Sequence, residues 1–155
     1  MATIEKSMEV DVPVRVAYNQ WTQFEEFPRF MEGVREVRQL DDKTLRWKAE
    51  VGGKEEEWVA QITEQIPDER IAWRTRAGGR NAGVVTFHRI ADGRTRIMLQ
   101  LEYTPDGVVE NVGDALGVVS RRVTGDLQRF KEFIESRSRE TGAWRGEIRQ
   151  DRKTA

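Results

Sequence analysis

The sequence predicts one α+β domain in which a curved, seven-stranded antiparallel sheet wraps around a long C-terminal helix. Two patterns carry this prediction. Seven segments alternate apolar with polar residues, and one segment near the C-terminus repeats apolar residues every three to four positions. The elements follow the order strand, two short helices, six strands and long helix. A sheet with one apolar face requires a cover, and only the last helix is long enough to cross it.

The first strand and the two short helices come before the remaining strands. Residues 3–12 alternate apolar with polar side chains, and Lys6 interrupts the apolar face, which favours a position near a sheet edge. Pro13 suits the first turn of a helix. The apolar residues that follow it at helical spacing are Val14, Ala17, Tyr18 and Trp21. Residues 24–31 keep this spacing around Pro28, which predicts a broken second helix or a helical loop.

From Val34 onward the apolar period changes to two, which predicts six further strands. Turn-forming residues separate several of these strands at positions 52–53, 67–69, 78–81 and 92–93. Because short turns join strands that are neighbours in space, we expect an antiparallel meander.

The long helix runs from about residue 107 to residue 139 and carries two kinds of inward-facing residue. Its apolar stripe consists of Val109, Val112, Leu116, Val119, Val123, Leu127, Phe130 and Ile134. One margin of the stripe carries only small residues, which are Gly113, Gly117, Ser120 and Thr124. A glycine inside a helix costs up to about 1 kcal/mol relative to alanine, so this margin indicates a gap against the sheet. The sequence therefore predicts a cavity between helix and sheet.

The composition argues against several classes of function. The 155 residues include 26 Lys and Arg against 27 Asp and Glu, and the net charge of -1 argues against general binding of nucleic acid. With no cysteine and one histidine, we expect neither a metal site nor a cofactor. The lack of cysteine fits a reducing cytoplasm. No secretory signal or membrane-spanning run is visible, so we expect a cytoplasmic protein without integral membrane association.

We assign residues 3–140 to the domain and residues 141–155 to a polar C-terminal tail. The helical periodicity stops after Arg139 and the following residues mix both charges, which predicts a loosely held tail. Trp144 and Ile148 are large apolar residues within it, and they leave open that the tail docks back.

Three segments resemble bacterial members of the START-like, or helix-grip, superfamily (SRPBCC). They are residues 21–31 (WTQFEEFPRFM), 70–74 (RIAWR) and 81–87 (NAGVVTF). The chain is most similar to the polyketide cyclase/dehydrase type, and the superfamily also holds birch-pollen-allergen-like carriers and lipid-transfer START domains. The resemblance implies the helix-grip fold, a hydrophobic cavity between sheet and long helix, and an entrance near the short helices. It does not by itself imply one activity, because this scaffold carries several.

Three tryptophans share the inward parity of consecutive strands and are the main candidates for the cavity lining: Trp47, Trp58 and Trp73. Their flat rings can stack on a planar ligand, and their N–H groups can donate directional hydrogen bonds. The other candidates for the lining are Phe87, Leu99, Leu101, Tyr103, Gly113, Leu116, Gly117, Ser120 and Thr124. The alternative interpretation is that the tryptophans are ordinary core residues.

Apolar residues of the proline-broken segment are candidates for the cavity entrance, because such a segment can move. They are Phe24, Phe27, Phe30 and Met31. A minor hydrophobic core beneath the short helices is an equally supported alternative.

The sequence offers few groups for catalysis. His88 is the only imidazole, but strand alternation places it opposite Phe87 and toward solvent. Tyr103 ends the last strand on the inward face and could supply a hydroxyl. Both remain weak candidates.

We therefore predict binding or transport of a hydrophobic (aromatic, polycyclic or lipid-like) small molecule in an internal cavity, by a monomer or homodimer. The alternative, which the resemblance supports, is a polyketide aromatase/cyclase that shapes a chain for aldol cyclisation. A subunit or chaperone-like partner of another protein is a third hypothesis.

Overall fold

The structure is a computed structural model that describes residues 2–51, 54–77, 81–103, 112–137 and 139–149. The strands lie where the apolar alternation predicts them. They are β1 (Ala2–Val10), β2 (Val34–Asp41), β3 (Thr44–Val51), β4 (Lys54–Ile66), β5 (Arg70–Ala77), β6 (Asn81–Ala91) and β7 (Arg94–Tyr103).

These strands form one seven-stranded sheet in the order β1-β7-β6-β5-β4-β3-β2, and every neighbouring pair is antiparallel. β2 to β7 follow chain order because short turns join them, whereas β1 pairs with the last strand. β1 is thus an edge strand, which confirms the predicted edge position of Lys6. The predicted turns at residues 52–53 and 78–80 lie outside the described residues.

The helices of the described residues follow the predicted order. They are α1 (Val14–Trp21), a 3₁₀ helix (Phe24–Arg29) and α2 (Val112–Arg137). Pro28 lies inside the 3₁₀ helix, which agrees with the predicted broken helix. α2 ends at Arg137, two residues before the predicted end, and residues 104–111 lie outside the described part of the chain.

Aromatic contacts join α1 and the 3₁₀ helix to the C-terminal half of α2. The ring of Phe130 lies 5.0 Å from that of Trp21 and 5.2 Å from that of Phe30, both in edge-to-face geometry. The Trp21 ring also lies edge-to-face with Phe27 at 5.7 Å. Because such pairs add to the free energy gained by burial, this cluster holds the short helices against α2.

The chain after α2 packs against α1, which for residues 141–149 favours the docked tail that the sequence left open over a loosely held one. Ile148 is buried, and its backbone exchanges two hydrogen bonds with the backbone of Gln65 in β4, at 2.7 and 2.8 Å. The Thr141 N–H donates to Gln20 Oε1 in α1 at 2.8 Å. The tail therefore connects α1 to β4 of the sheet.

Arg145 makes an ionic contact between this segment and the turn after β4. It donates to Asn19 Oδ1 in α1 at 2.6 Å and to Asp68 Oδ2, in the turn after β4, at 2.8 Å. Its guanidinium also lies over the ring of Tyr18, 5.5 Å from the ring centre. Asn19 and Gln20 are polar but buried, and buried polar groups need hydrogen-bond partners, which the tail supplies. The docked tail therefore both buries these two side chains and supplies their hydrogen-bond partners.

Among the described residues, no helix combines the length and the apolar character that crossing a bilayer requires.

Replacing Arg145 by Met should lower the free energy of unfolding by about 1 to 3 kcal/mol, because Asn19 and Asp68 both lose a charged hydrogen-bond donor. Urea unfolding followed by tryptophan fluorescence measures the change. Arg149→Met is the matched control, since Arg149 is exposed and pairs only with nearby Glu147 among the described residues. Equal effects of the two substitutions would contradict the docking role of Arg145.

Candidate ligand-binding site

The inward face of the sheet has two parts that differ in how completely they are covered. In the first part, which we term the filled end, the inward side chains are almost inaccessible, at 0 to 1% exposure. Its main members are Ile62, Ile71, Val85, Ile97, Phe130 and Ile134. The C-terminal half of α2 and the aromatic cluster cover this part.

In the second part, the accessible end, inward side chains of the same strands are only half-buried. Its members are Trp47, Trp58, Trp73, Leu99 and Leu101 of the sheet and Val119 of α2. Along β7, for example, Ile97 is fully buried whereas Leu99 and Leu101 are not. Burial along α2 changes in the same direction, from half-buried Val119 to fully buried Phe130. The described side chains of α2 therefore become less buried toward the N-terminal half of the helix.

Indole rings dominate the surface of the accessible end. Trp47 and Trp58 occupy directly opposite positions in β3 and β4, and their rings stack 5.8 Å apart with planes inclined by 7°. Trp73 lies opposite Gly83, and a Cβ atom added to this glycine would approach the indole to 2.4 Å. Gly83 therefore lets the Trp73 ring lie across β6. These residues place three indole rings on the inward face of β3, β4 and β5.

The other predicted lining residues divide into three groups. Phe87 belongs to the filled end, where its ring contacts Tyr18 and Trp21 edge-to-face. Ser120 is half-buried, whereas Thr124 is exposed and donates its hydroxyl to the Ser120 carbonyl at 3.0 Å. The side chains of Tyr103, Gly113, Leu116 and Gly117 lie outside the described part of the structure.

The residues predicted to form the entrance are mostly buried. Phe24, Phe27 and Phe30 are 5, 3 and 2% exposed, and Met31 is half-buried. Phe27 contacts Phe24, Phe30 and Trp47, which are all parts of one aromatic cluster. This arrangement favours the alternative stated above, a hydrophobic core beneath the short helices. An entrance at this place stays a prediction that requires the segment to move.

His88 lies on the outer face of the sheet. It is exposed, and its Nε2 lies 2.9 Å from the Thr86 hydroxyl. Strand alternation thus separates His88 from the inward tryptophans, as the sequence indicated. Within the described ranges, no group of three or more metal-binding side chains is arranged to hold a metal ion.

An open groove of about 330 Å³ crosses the outer face of β6, β7 and β1. Its lining residues are Glu5, Lys6, Ser7, Val84, Thr86, Met98, Leu99 and Gln100. Val84 and Met98 alternate with inward-facing Val85 and Ile97, so the groove lies mainly on the outer face of the sheet. Lys6 and Leu99 border it from the inward rows of β1 and β7.

Polar contacts that the sequence did not reveal hold α2 beside β2 and β3. Arg122 donates to the Glu50 carbonyl at 2.6 Å, and Arg129 donates to the Phe30 carbonyl at 2.8 Å. Asp126, between these arginines along the helix, accepts from the Glu32 N–H at 3.1 Å and from Arg129 at 2.6 Å. We term these three residues the α2 clamp, because they fasten this margin of the helix to the loop before β2.

The pKa of the Asp126 carboxyl is raised to about 6 because its burial disfavours the charged form. The neighbouring Arg129 acts in the opposite direction and lowers the pKa, but burial has the larger effect. The clamp therefore contains a carboxyl group that takes up a proton under mildly acidic conditions.

Residues 10–132 match the family described as polyketide cyclase/dehydrase and lipid transport. An uncharacterized 17.2 kDa protein from Streptomyces lincolnensis is 56% identical over 149 residues, which are 96% of this chain and 99% of that protein. A crystal structure of a protein from Deinococcus radiodurans has a TM-score of 0.69 at 28% identity and covers 88% of this chain and 98% of its own.

The crystal structure of an aromatase/cyclase from Streptomyces sp. R1128 has a TM-score of 0.76, covering 92% of this chain and 99% of its own. At 17% identity this likeness shows a common fold. Together with the family match, it confirms the helix-grip architecture that the three sequence segments indicated.

The raised pKa of Asp126 predicts a pH dependence of stability with a definite sign. Because the folded-state pKa of about 6 exceeds the unfolded value of 3.8, the folded protein holds the proton more tightly. The free energy of unfolding therefore falls as pH rises from about 4 to about 6. Asp126→Asn should remove a dependence of about 1 to 3 kcal/mol, after allowance for solvent screening.

Urea unfolding of the wild type and Asp126→Asn between pH 4 and 7 measures this dependence. Glu132→Gln is the control, because Glu132 is an exposed carboxylate on the same helix. Parallel pH profiles of the wild type and Asp126→Asn would refute the assignment.

Proposed function

The chain belongs to the polyketide cyclase/dehydrase and lipid transport family, and from this premise we propose that it binds or carries a hydrophobic small molecule between the accessible end of the sheet and α2. A planar aromatic or polycyclic molecule fits the lining best.

The observation that carries this proposal is the uneven coverage of one continuous apolar face. Protein interiors are normally packed as closely as organic crystals, so an inward tryptophan on an inner strand should be fully covered. Trp58 and Trp73 lie on inner strands and are only half-buried, while Ile62 and Ile71, on the same strands, are about 1% exposed. Two half-buried tryptophans on inner strands are not expected in a face that serves only to fill a core.

The chemistry of this surface supports a flat apolar ligand. The paired rings of Trp47 and Trp58 present a face on which a second aromatic system can stack, and each indole N–H offers one hydrogen-bond donor. Leu99 and Leu101 add apolar surface without a titratable group. This set of side chains suits binding by shape and apolar contact better than proton transfer.

The alternative function is that of an aromatase/cyclase, and the family description and the fold shared with one such enzyme favour it. A cavity that folds a flexible chain brings the reacting atoms together and needs few acid–base groups. Tyr103, the last residue of β7, stays the candidate hydroxyl, whereas His88 lies on the outer face.

Substituting Trp58 by Leu should weaken binding of a planar probe such as pyrene about tenfold, because one stacking surface is lost. Fluorescence titration measures the affinity. Phe130→Leu is the matched control in the filled end, where we expect about 1 to 3 kcal/mol lower stability with affinity retained. Absence of pyrene binding to the wild type, or equal affinity of Trp58→Leu, would contradict the proposed site.

A cyclase role predicts that Tyr103→Phe changes the ratio of cyclised products formed from a poly-β-ketone substrate, with the protein fold unchanged. Product analysis by liquid chromatography and mass spectrometry measures the ratio, and His88→Ala is the control on the outer face. Identical products with and without the wild-type protein would exclude the cyclase role and leave the binding function.

A further inference from the structure

Lys6 is a cation in an otherwise apolar inward row. The pairing of β1 with β7 is regular from Ala2 to Val10, without a bulge, so strand alternation is maintained through Lys6. On the same face, Ile4 lies opposite Leu101 and Met8 opposite Ile97. Lys6 lies between them and is half-buried. It is therefore next to the accessible end, opposite Leu99.

Two hydrogen bonds show which margin of α2 lies beside β1. Lys131 Nζ donates to the Glu9 carbonyl at 2.9 Å, and the Asp11 N–H donates to Glu135 Oε2 at 2.8 Å. Earlier residues of α2 therefore lie beside earlier residues of β1. Residues seven and eleven positions before Lys131 lie on the same side of the helix, because these intervals are close to two and three turns.

Those two residues are Thr124 and Ser120, whose side chains are small. Thr124 is exposed and Ser120 is half-buried. The other margin of α2 is fastened by the longer side chains of the clamp, Arg122, Asp126 and Arg129. The backbone of α2 comes closest to the sheet along β1, where Lys131 and Glu135 make their contacts, and Lys6 lies along the same seam, nearer the start of the strand.

Lys6 has no hydrogen-bond or ion-pair partner within the described ranges of the chain. The nearby carboxylate of Glu9, on the outer face, pairs with Arg94 and Arg96. The α2 margin facing Lys6 offers hydroxyl groups at Ser120 and Thr124. A half-buried ammonium group gains stability from an anion that reaches it, and a bound ligand can provide that anion.

We infer that Lys6 is a specificity-determining residue at the β1 margin of the accessible end, where it pairs with the carboxylate or enolate of an otherwise hydrophobic ligand. This inference rests on the proposed function and narrows it. The ligand's rings lie against the tryptophans of the accessible end, and its acidic group points to the edge of the sheet.

A pair of probes that differ in one group tests this assignment: 1-pyrenebutyric acid and 1-pyrenebutanol. The wild type should bind the acid about tenfold more tightly than the alcohol, because only the acid forms a charged hydrogen bond with the Lys6 ammonium group. Lys6→Met should abolish the preference while binding the alcohol as the wild type does, and Lys6→Arg should retain it. Fluorescence titration gives the affinity of the wild type and of each variant for both probes. Thermal unfolding verifies that the variants fold.

Two control variants separate this site from other surfaces. Lys43→Met removes an exposed lysine in the turn between β2 and β3 and should leave both affinities unchanged. Met98→Thr alters the outer groove, which Lys6 also borders, and should likewise have no effect. Weaker binding to Met98→Thr would place the ligand in the outer groove and overturn the inference.

The remaining outcomes are equally decisive. If the wild type binds both probes with equal affinity, or if Lys6→Met keeps the preference, Lys6 does not select the ligand. If Lys6→Met instead aggregates with both affinities intact, its role is to protect the edge strand from pairing. If neither probe binds, the proposed function fails and the inference fails with it.

Discussion

The structure depends on one geometric constraint, which is that a single helix must cover a sheet much wider than itself. Seven strands at the usual spacing form a face about 30 Å wide, whereas an α-helix with its side chains is about 10 Å across. Curvature of the sheet reduces the mismatch but does not remove it. The remaining inward surface has to be covered by other elements or left accessible, and this protein does both.

Coverage is concentrated at one end of the domain. The 3₁₀ helix and α1 bring aromatic rings against Phe130, and the tail adds Ile148 and the polar contacts of Arg145. None of these elements extends over Trp58 or Trp73, which remain half-buried. Because α1, the 3₁₀ helix and the tail all pack at the filled end, they stabilise that end. They leave the inward side chains of the accessible end partly exposed.

The sequence predicted the strands, their inward parity and the order of elements, because alternation is a local property of each segment. It could not predict contacts that depend on distant parts of the chain. Asn19 and Gln20 are polar residues of a short helix, and only the docked tail explains why they are buried. The α2 clamp likewise joins residues about ninety positions apart, such as Asp126 and Glu32. The helical period placed Ser120 and Thr124 on one margin of α2 but did not place that margin relative to the sheet, since the contacts of Lys131 decide which strand it faces.

The separation of the filled end from the accessible end has a consequence for how this protein can evolve. Substitutions among Trp47, Trp58, Trp73 and Leu101 remove few of the contacts that hold α2, α1 and the tail together. Changes of the accessible end can therefore accumulate without bringing the domain to its stability threshold. A scaffold with this division can diversify in what it recognises while its architecture stays constant, and directed evolution of new binding specificities should begin at these positions.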